Sequence, residues 1–161
     1  MSFSYTPSND CIPITTAPID KLVLLYFDGP HMVLADSGGV QVIGVSIDED
    51  SNGMQWLFVQ ASPYQMVKLL KNQIDLNILF SYSSNTELHY FTKSHIWIKG
   101  FKVSIKDIPE HFIPSGSLPE LEDSVFKNLL ATQEAYDKIG QAIYEGIFKA
   151  RQLNCLPKAL K

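Results

Sequence analysis

Apolar positions along this chain change their period twice, dividing it into an arm, a β-rich body and a helical tail. Residues 1–18 carry Pro7, Pro13 and Pro18 among Ser and Thr, with scattered apolar positions such as Ile12 and Ile14, which predicts an extended arm. Lys21-Leu-Val-Leu-Leu-Tyr-Phe27 is an almost unbroken apolar run closed by Asp28-Gly29-Pro30, and reads as a strand buried on both faces. His31 to Ala35 predicts a second strand, closed by Asp36-Ser-Gly-Gly39. The third, Val40 to Ile47, shifts its apolar phase near Val42, Ile43 and Gly44, which predicts a bulge there. A polar turn, Asp48 to Gly53, leads to a fourth strand, Met54 to Gln60. Ser62-Pro63 then marks a helix start, since Ser caps free N–H groups and Pro lacks one where none is needed. That helix runs to about Lys71 and buries Met66, Val67 and Leu70. Ile74 to Phe80 reads as a short helical turn.

Glu87 to Thr92 and Ile96 to Ile105 form another strand pair, the second alternating Phe101, Val103 and Ile105 with Lys102, Ser104 and Lys106. Pro109 to Pro119 is a connector. Beyond Leu118 the period becomes helical: Leu121, Val125, Leu129, Tyr136, Ile139, Ile143, Ile147, Ala150 and Leu153 fall mostly three or four apart. Unbroken from Pro119 to Leu153, such a helix would be roughly 50 Å long, more than one small sheet can cover. It must either turn back near Thr132-Gln133 or Gly140, or project. The expected fold is one α+β domain over residues 19–161, β-rich to residue 114 and helical over 115–156. Its sheet is an antiparallel meander of about six strands, with one short helix and a long C-terminal helical segment.

Composition narrows the class. The chain has 161 residues, 45% hydrophobic and 19% charged, enough for one core and too apolar for a disordered tail. No apolar run reaches the roughly 18–20 residues of a membrane helix. The start, Met1-Ser-Phe-Ser-Tyr-Thr-Pro7, has neither a basic nor an apolar signal-peptide region, so a cytoplasmic protein is expected. Cys11 and Cys155 sit in no CxxC pair and beside no His, and read as free thiols. Net charge is −4, with the acidic excess confined to residues 1–80, where three lysines face eight acids. Arg151 is the single arginine, and arginine supplies the forks favoured for phosphate and base edges, so nucleic acid is not the expected partner.

Candidate chemistry is sparse. Asp28-Gly29-Pro30-His31 sets an acid and an imidazole at a strand end, the best available pair for acid–base work, although an Asx-type turn needs the same Asp. Asp48, Asp50 and Asn52 match the first half of a calcium loop, but Val59 stands where the bidentate Glu belongs, so a hairpin turn is the better reading. His31, His89, His95 and His111 lack metal-ligand spacing, although His89 and His95 are placed to approach across a hairpin. No metal or cofactor is expected. Lys93, Lys99, Lys102 and Lys106 interleave with Tyr90, Phe91, Trp97 and Phe101 as on single-strand binding sheets, but Phe101 falls opposite Lys102 and Lys106. On the last helix, Ala142, Gly146 and Ala150 recur every four residues with Gly140 nearby, flanked by Ile143, Tyr144 and Ile147. Glycine is unfavourable inside a helix, so such a stripe points to close backbone approach, either on this sheet or on another chain. With Tyr136 and Ile139, these residues form the expected interaction face.

The segment Tyr26-Phe27-Asp28-Gly29-Pro30, followed by a meander with the acidic hairpin Asp48 to Gly53, resembles a family of small uncharacterised bacterial and phage domains over about residues 20–82. The resemblance implies an accessory cytosolic protein and transfers no catalytic residue. The leading expectation is a non-enzymatic protein-interaction module, antitoxin-, immunity- or inhibitor-like, working as a homo-oligomer, with a homodimer the expected form, or as a subunit of a small complex. The alternatives are a small hydrolase using Asp28 and His31, and a weak single-strand nucleic-acid binder.

Overall fold

In a computed structural model, which describes residues 12–154 apart from Asn52, seven strands form one antiparallel sheet. They are β1 (Pro13–Ile14), β2 (Ile19–Tyr26), β3 (Pro30–Ser37), β4 (Val40–Asp50), β5 (Gly53–Gln60), β6 (Thr86–Phe91) and β7 (Trp97–Val103), in the spatial order β1-β7-β6-β5-β4-β3-β2. Three α-helices accompany them: α1 (Pro63–Leu70), α2 (Leu76–Ser81) and α3 (Asp123–Asn154). The α+β class and the antiparallel sheet agree with the alternation in the sequence. The strand count is seven rather than six, because Pro13 and Ile14 of the expected arm pair with Phe101 and Gly100. Residues 1–11 of that arm, and 155–161 with Cys155, lie outside the described residues.

Two further readings are corrected. The apolar run at residues 21–27 is not buried on both faces: β2 is an edge strand in which Leu24 alone is fully buried, while Val23, Leu25 and Tyr26 are exposed, as is Phe27 just beyond it. Apolar content alone cannot tell a central strand from an edge. The irregularity in β4 lies between Ser46 and Asp48, not at Val42 to Gly44. Gly44 has a different reason: a Cβ there would enter the ring of the fully buried Phe58 on β5.

The start of α1 follows the expected chemistry. Ser62 Oγ accepts from the Gln65 amide (3.2 Å) and Gln65 Oε1 accepts from the Ser62 amide (2.9 Å), a reciprocal capping box. Met66, Leu69 and Leu70 are buried, with Val67 only half-buried. Asp75 caps α2 through the Ile78 amide at 2.9 Å. The two short helices and the first turns of α3 cover one face of the sheet, over Leu34, Ile43, Leu57, Val59 and Leu88.

The opposite face is also buried, around Val33, Ala35, Val42, Trp56, Phe58 and Phe91. Covering it without a second layer requires curvature. Strands β1 and β2 are the two outer strands, yet only residues 15–18 join them. Six inter-strand spacings would hold the edges of a flat sheet about 29 Å apart. The link from Ile14 to Ile19 reaches at most about 18 Å. The sheet therefore curls into an open barrel, and His95, in the β6–β7 turn, reaches Asp20 on β2 at 2.8 Å.

Helix α3 runs 32 residues without a break, about 48 Å. Its first half packs on α1 and the sheet through Leu129 and Gln133. Gln133 and Gln41 exchange side-chain amide hydrogen bonds, both 3.0 Å, the last tie between helix and body. From residue 138 to 152 every position is exposed. Of the two outcomes open to the sequence, the helix projects; it does not turn back at Thr132 or Gly140.

Candidate functional site

Asp28 and His31 come together around a small cavity of about 300 Å³, which His95, Glu49 and Lys93 also line. Asp28 takes a left-handed φ of +52° at the β2–β3 corner. Both ring nitrogens of His31 are occupied, Nε2 by the Phe27 carbonyl at 2.6 Å and Nδ1 by Ser46 Oγ at 3.0 Å. A carbonyl can only accept, so Nε2 carries a proton, and Ser46 Oγ, able to donate or accept, occupies Nδ1. The imidazole is thereby held as a corner brace, with no lone pair left facing Asp28. The Asx-type bond expected at Asp28 appears instead at Asp36, whose Oδ1 accepts from the Gly39 amide at 2.7 Å.

The acidic hairpin closes with Asp50 opposite Gly53, and Gly53 takes a φ of +136°. Asp48 and Asp50 stand two apart on β4, and Asp50 also receives Gln55 Nε2 at 3.4 Å. Asn52 lies outside the described residues. Among the described residues no group of three His, Cys, Asp or Glu side chains is placed to hold a metal ion. His89 and His95 do not form a pair. His95 stacks on Phe91 with ring centres 4.6 Å apart, whereas His89 lies against Phe58 and Trp97. His111 is exposed on a short 3₁₀ turn.

The lysines do not form one platform. Lys99 lies 5.0 Å over the Tyr90 ring and 5.9 Å over Phe101, on the helix-covered face. Lys102 stands on the concave face, and Lys93 pairs with Glu49 at 3.4 Å.

A network the sequence reading missed lies at the mouth of the curled sheet. Glu87 and His89, two apart on β6, both face the concave side, where Ser37 at the end of β3 meets them. Trp97 Nε1–H donates to His89 Nδ1 at 2.9 Å. An indole N–H is donor only, so His89 carries its proton on Nε2 and donates it to Glu87 Oε1 at 2.8 Å. Ser37 Oγ–H donates to the same oxygen at 3.0 Å. Burial opposes the carboxylate charge. The bonds from His89 and Ser37, with the positive Lys102 nearby, outweigh it and hold the Glu87 carboxyl below its ordinary value. Ser37 and Glu87, with His89 buried behind them, line a cavity of about 520 Å³ together with Ile12 to Thr16, Val42, Phe58 and Lys102. Ser37 gives its proton to the carboxylate and His89 has no free nitrogen, so the network stabilises a buried charge and does not form a nucleophile–base pair. The signal available in the sequence was Glu87 and His89 at i, i+2 on one strand face. Ser37, 50 residues away, had none.

The expected interaction face lies wholly on the projecting part of α3. Tyr136, Ile139, Ile143 and Ile147 are 48–59% exposed, and Ala142, Gly146 and Ala150 are exposed between them. Tyr144 and Phe148 add further exposed apolar surface. A Cβ added at Gly140 or Gly146 would meet no atom within 4 Å. The stripe of small residues therefore does not serve packing on this protein's own sheet. No helix of the described residues is long and apolar enough to cross a membrane. No protein-family model, curated protein or solved structure matches the chain.

Proposed function

We propose that this protein is a non-enzymatic interaction module whose body presents the end of α3 as a docking arm. One observation carries the reading: residues 138–152 leave the body fully exposed while bearing Ile139, Ile143, Tyr144, Ile147 and Phe148. A polar helix can stand in water, but one with an apolar stripe is stable only when that stripe is covered. A role as subunit of a small complex, of the antitoxin, immunity or inhibitor kind, agrees with an acidic chain that lacks a catalytic motif. Acid–base chemistry at Asp28 and His31 has less support, because Ser46 and Phe27 engage both imidazole nitrogens. Single-strand binding has less support, because Lys99 and Lys102 stand on opposite faces.

Native mass spectrometry of the full chain purified from its host, beside a chain ended after Asp137, tests the reading. The full chain is expected as a dimer or with a stoichiometric protein companion. The shortened chain is expected as a bare monomer with an unchanged melting temperature, since the exposed segment it lacks lies beyond the last tie at Gln133. A full chain found only as a lone monomer sinks the proposal.

A further inference from the structure

Resting on the reading of α3 as a docking arm, we propose that its occupant is a second copy of this chain, packed antiparallel with a twofold axis beside Ile143. The arm reads nearly alike in both directions from that residue. Ile139-Gly140 on one side answers Gly146-Ile147 on the other, and Tyr136 answers Ala150. At 3.6 residues per turn, all of these fall within about 60° of Ile143, on a single stripe. A twofold contact sets residue i of one copy against residue j of the other, and j against i, so it needs a surface complementary to itself. Here Ile139 meets the second copy's Ile147, Gly140 meets its Gly146, and Ile143 meets its own equivalent. The glycines leave open space where a Cβ would stand. Facing one another, they let the two helices approach closely, which gives a physical reason for two glycines inside one helix.

Charge selects the antiparallel sense. Asp137 and Arg151 lie on the same flank of the stripe as Tyr144. In the antiparallel register each Asp137 comes beside the other copy's Arg151, at both ends of the contact. A parallel pair would place the two copies of this flank on opposite sides of the seam, with Asp137 and Arg151 about 21 Å apart along the axis and no such pair formed, and would crowd both bodies at one end. Area sets the strength. Tyr136, Ile139, Ile143, Tyr144 and Ile147 are 48–70% exposed. Together with the small residues between them they offer on the order of 600 Å² per copy, or roughly 1,200 Å² for the pair, the lower limit for a specific interface. The dimer is therefore concentration-dependent and not obligate.

Sedimentation velocity of the full chain from about 1 to about 100 µM, a range that brackets micromolar affinities, reads the association. A monomer–dimer equilibrium is expected. Ile143→Asp places two like charges on the axis and is expected to weaken dimerisation at least a hundredfold; with Ile143 59% exposed, the melting temperature read at a concentration where both chains are monomeric should stay the same. Cysteine variants in a Cys11→Ser, Cys155→Ser background read the register. Ile143→Cys is expected to cross-link to itself with a thiol reagent shorter than the roughly 12 Å separating like positions 147. Ile139→Cys and Ile147→Cys are expected to link when mixed but not alone. A monomer at every concentration overturns the proposal, as does a dimer indifferent to Ile143→Asp or self-linking of Ile147→Cys. A monomer that still holds a different protein companion removes the second copy and leaves the docking arm standing. A monomer with no companion removes both.

Discussion

At the scale of single residues, the Glu87 network has a measurable consequence. Ser37 and His89 donate hydrogen bonds to one half-buried carboxylate, and Trp97 on β7 donates to His89 and so fixes the tautomer that serves it. Glu87→Gln keeps the shape and the accepting oxygen but removes the charge that strengthens both hydrogen bonds, and is expected to lower stability by about 1–3 kcal/mol at neutral pH. The sign of the pH dependence follows from the lowered carboxyl value. Such a group contributes stability above its unfolded-state value, and that contribution is lost as pH falls through the folded-state value. Urea unfolding of both proteins from neutral pH downward should therefore show the difference shrinking toward acid. A difference constant with pH would mean that packing, not charge, holds the trio. This site was poorly legible in the sequence for a plain reason. Asp28 and His31 stood out because they are neighbours in the chain, whereas Ser37 reaches Glu87 only through the curl of the sheet.

At the scale of elements, local chemistry was legible and long-range placement was not. Ser62-Pro63, the alternation of Phe101 and Val103 with Lys102, and the helical period after Leu118 each state their own structure, because capping and periodicity act within a few residues. The edge position of β2 and the pairing of β1 with β7 depend on partners far along the chain. Glycines show the same division. Gly44 is required by the Phe58 ring on the next strand, while Gly140 and Gly146 are required by nothing in this chain. Gly44→Ala is expected to cost about 1–3 kcal/mol or more by overpacking a fully buried site. Gly146→Ala, in an Ile143→Asp chain kept monomeric, should instead increase the helical circular dichroism signal, as Ala is worth up to about 1 kcal/mol over Gly in a helix. Equal behaviour of the two substitutions in unfolding and dichroism would contradict these assignments.

At the scale of the whole molecule, one geometric constraint accounts for both the buried concave face and the free arm. A link of residues 15–18 between opposite edges compels the sheet to close on itself, so the aromatic cluster around Trp56, Phe58 and Phe91 is buried without a second layer. The helices are then needed on one face only, and α1, α2 and the first turns of α3 already cover it. The helix-covered face is thus already occupied before the second half of α3 begins, and beyond Gln133 the helix leaves the body. Closure is tied a second time by His95 Nε2 and Asp20 Oδ2, 2.8 Å apart and both partly shielded from water. Asp20→Ala removes that tie and is expected to cost about 0.5–1.5 kcal/mol, the usual worth of one such bond. The loss should not be uniform. Amide hydrogen exchange is expected to quicken along β2 and β3, at the edge that Asp20 secures, while β5 and β6 at the centre of the sheet keep their protection. If all strands lose protection together, the edges are not held by this contact and the short link alone maintains the curl. If exchange quickens along the arm of α3 as well, the arm is coupled to barrel closure and is not the independent extension that its exposure indicates.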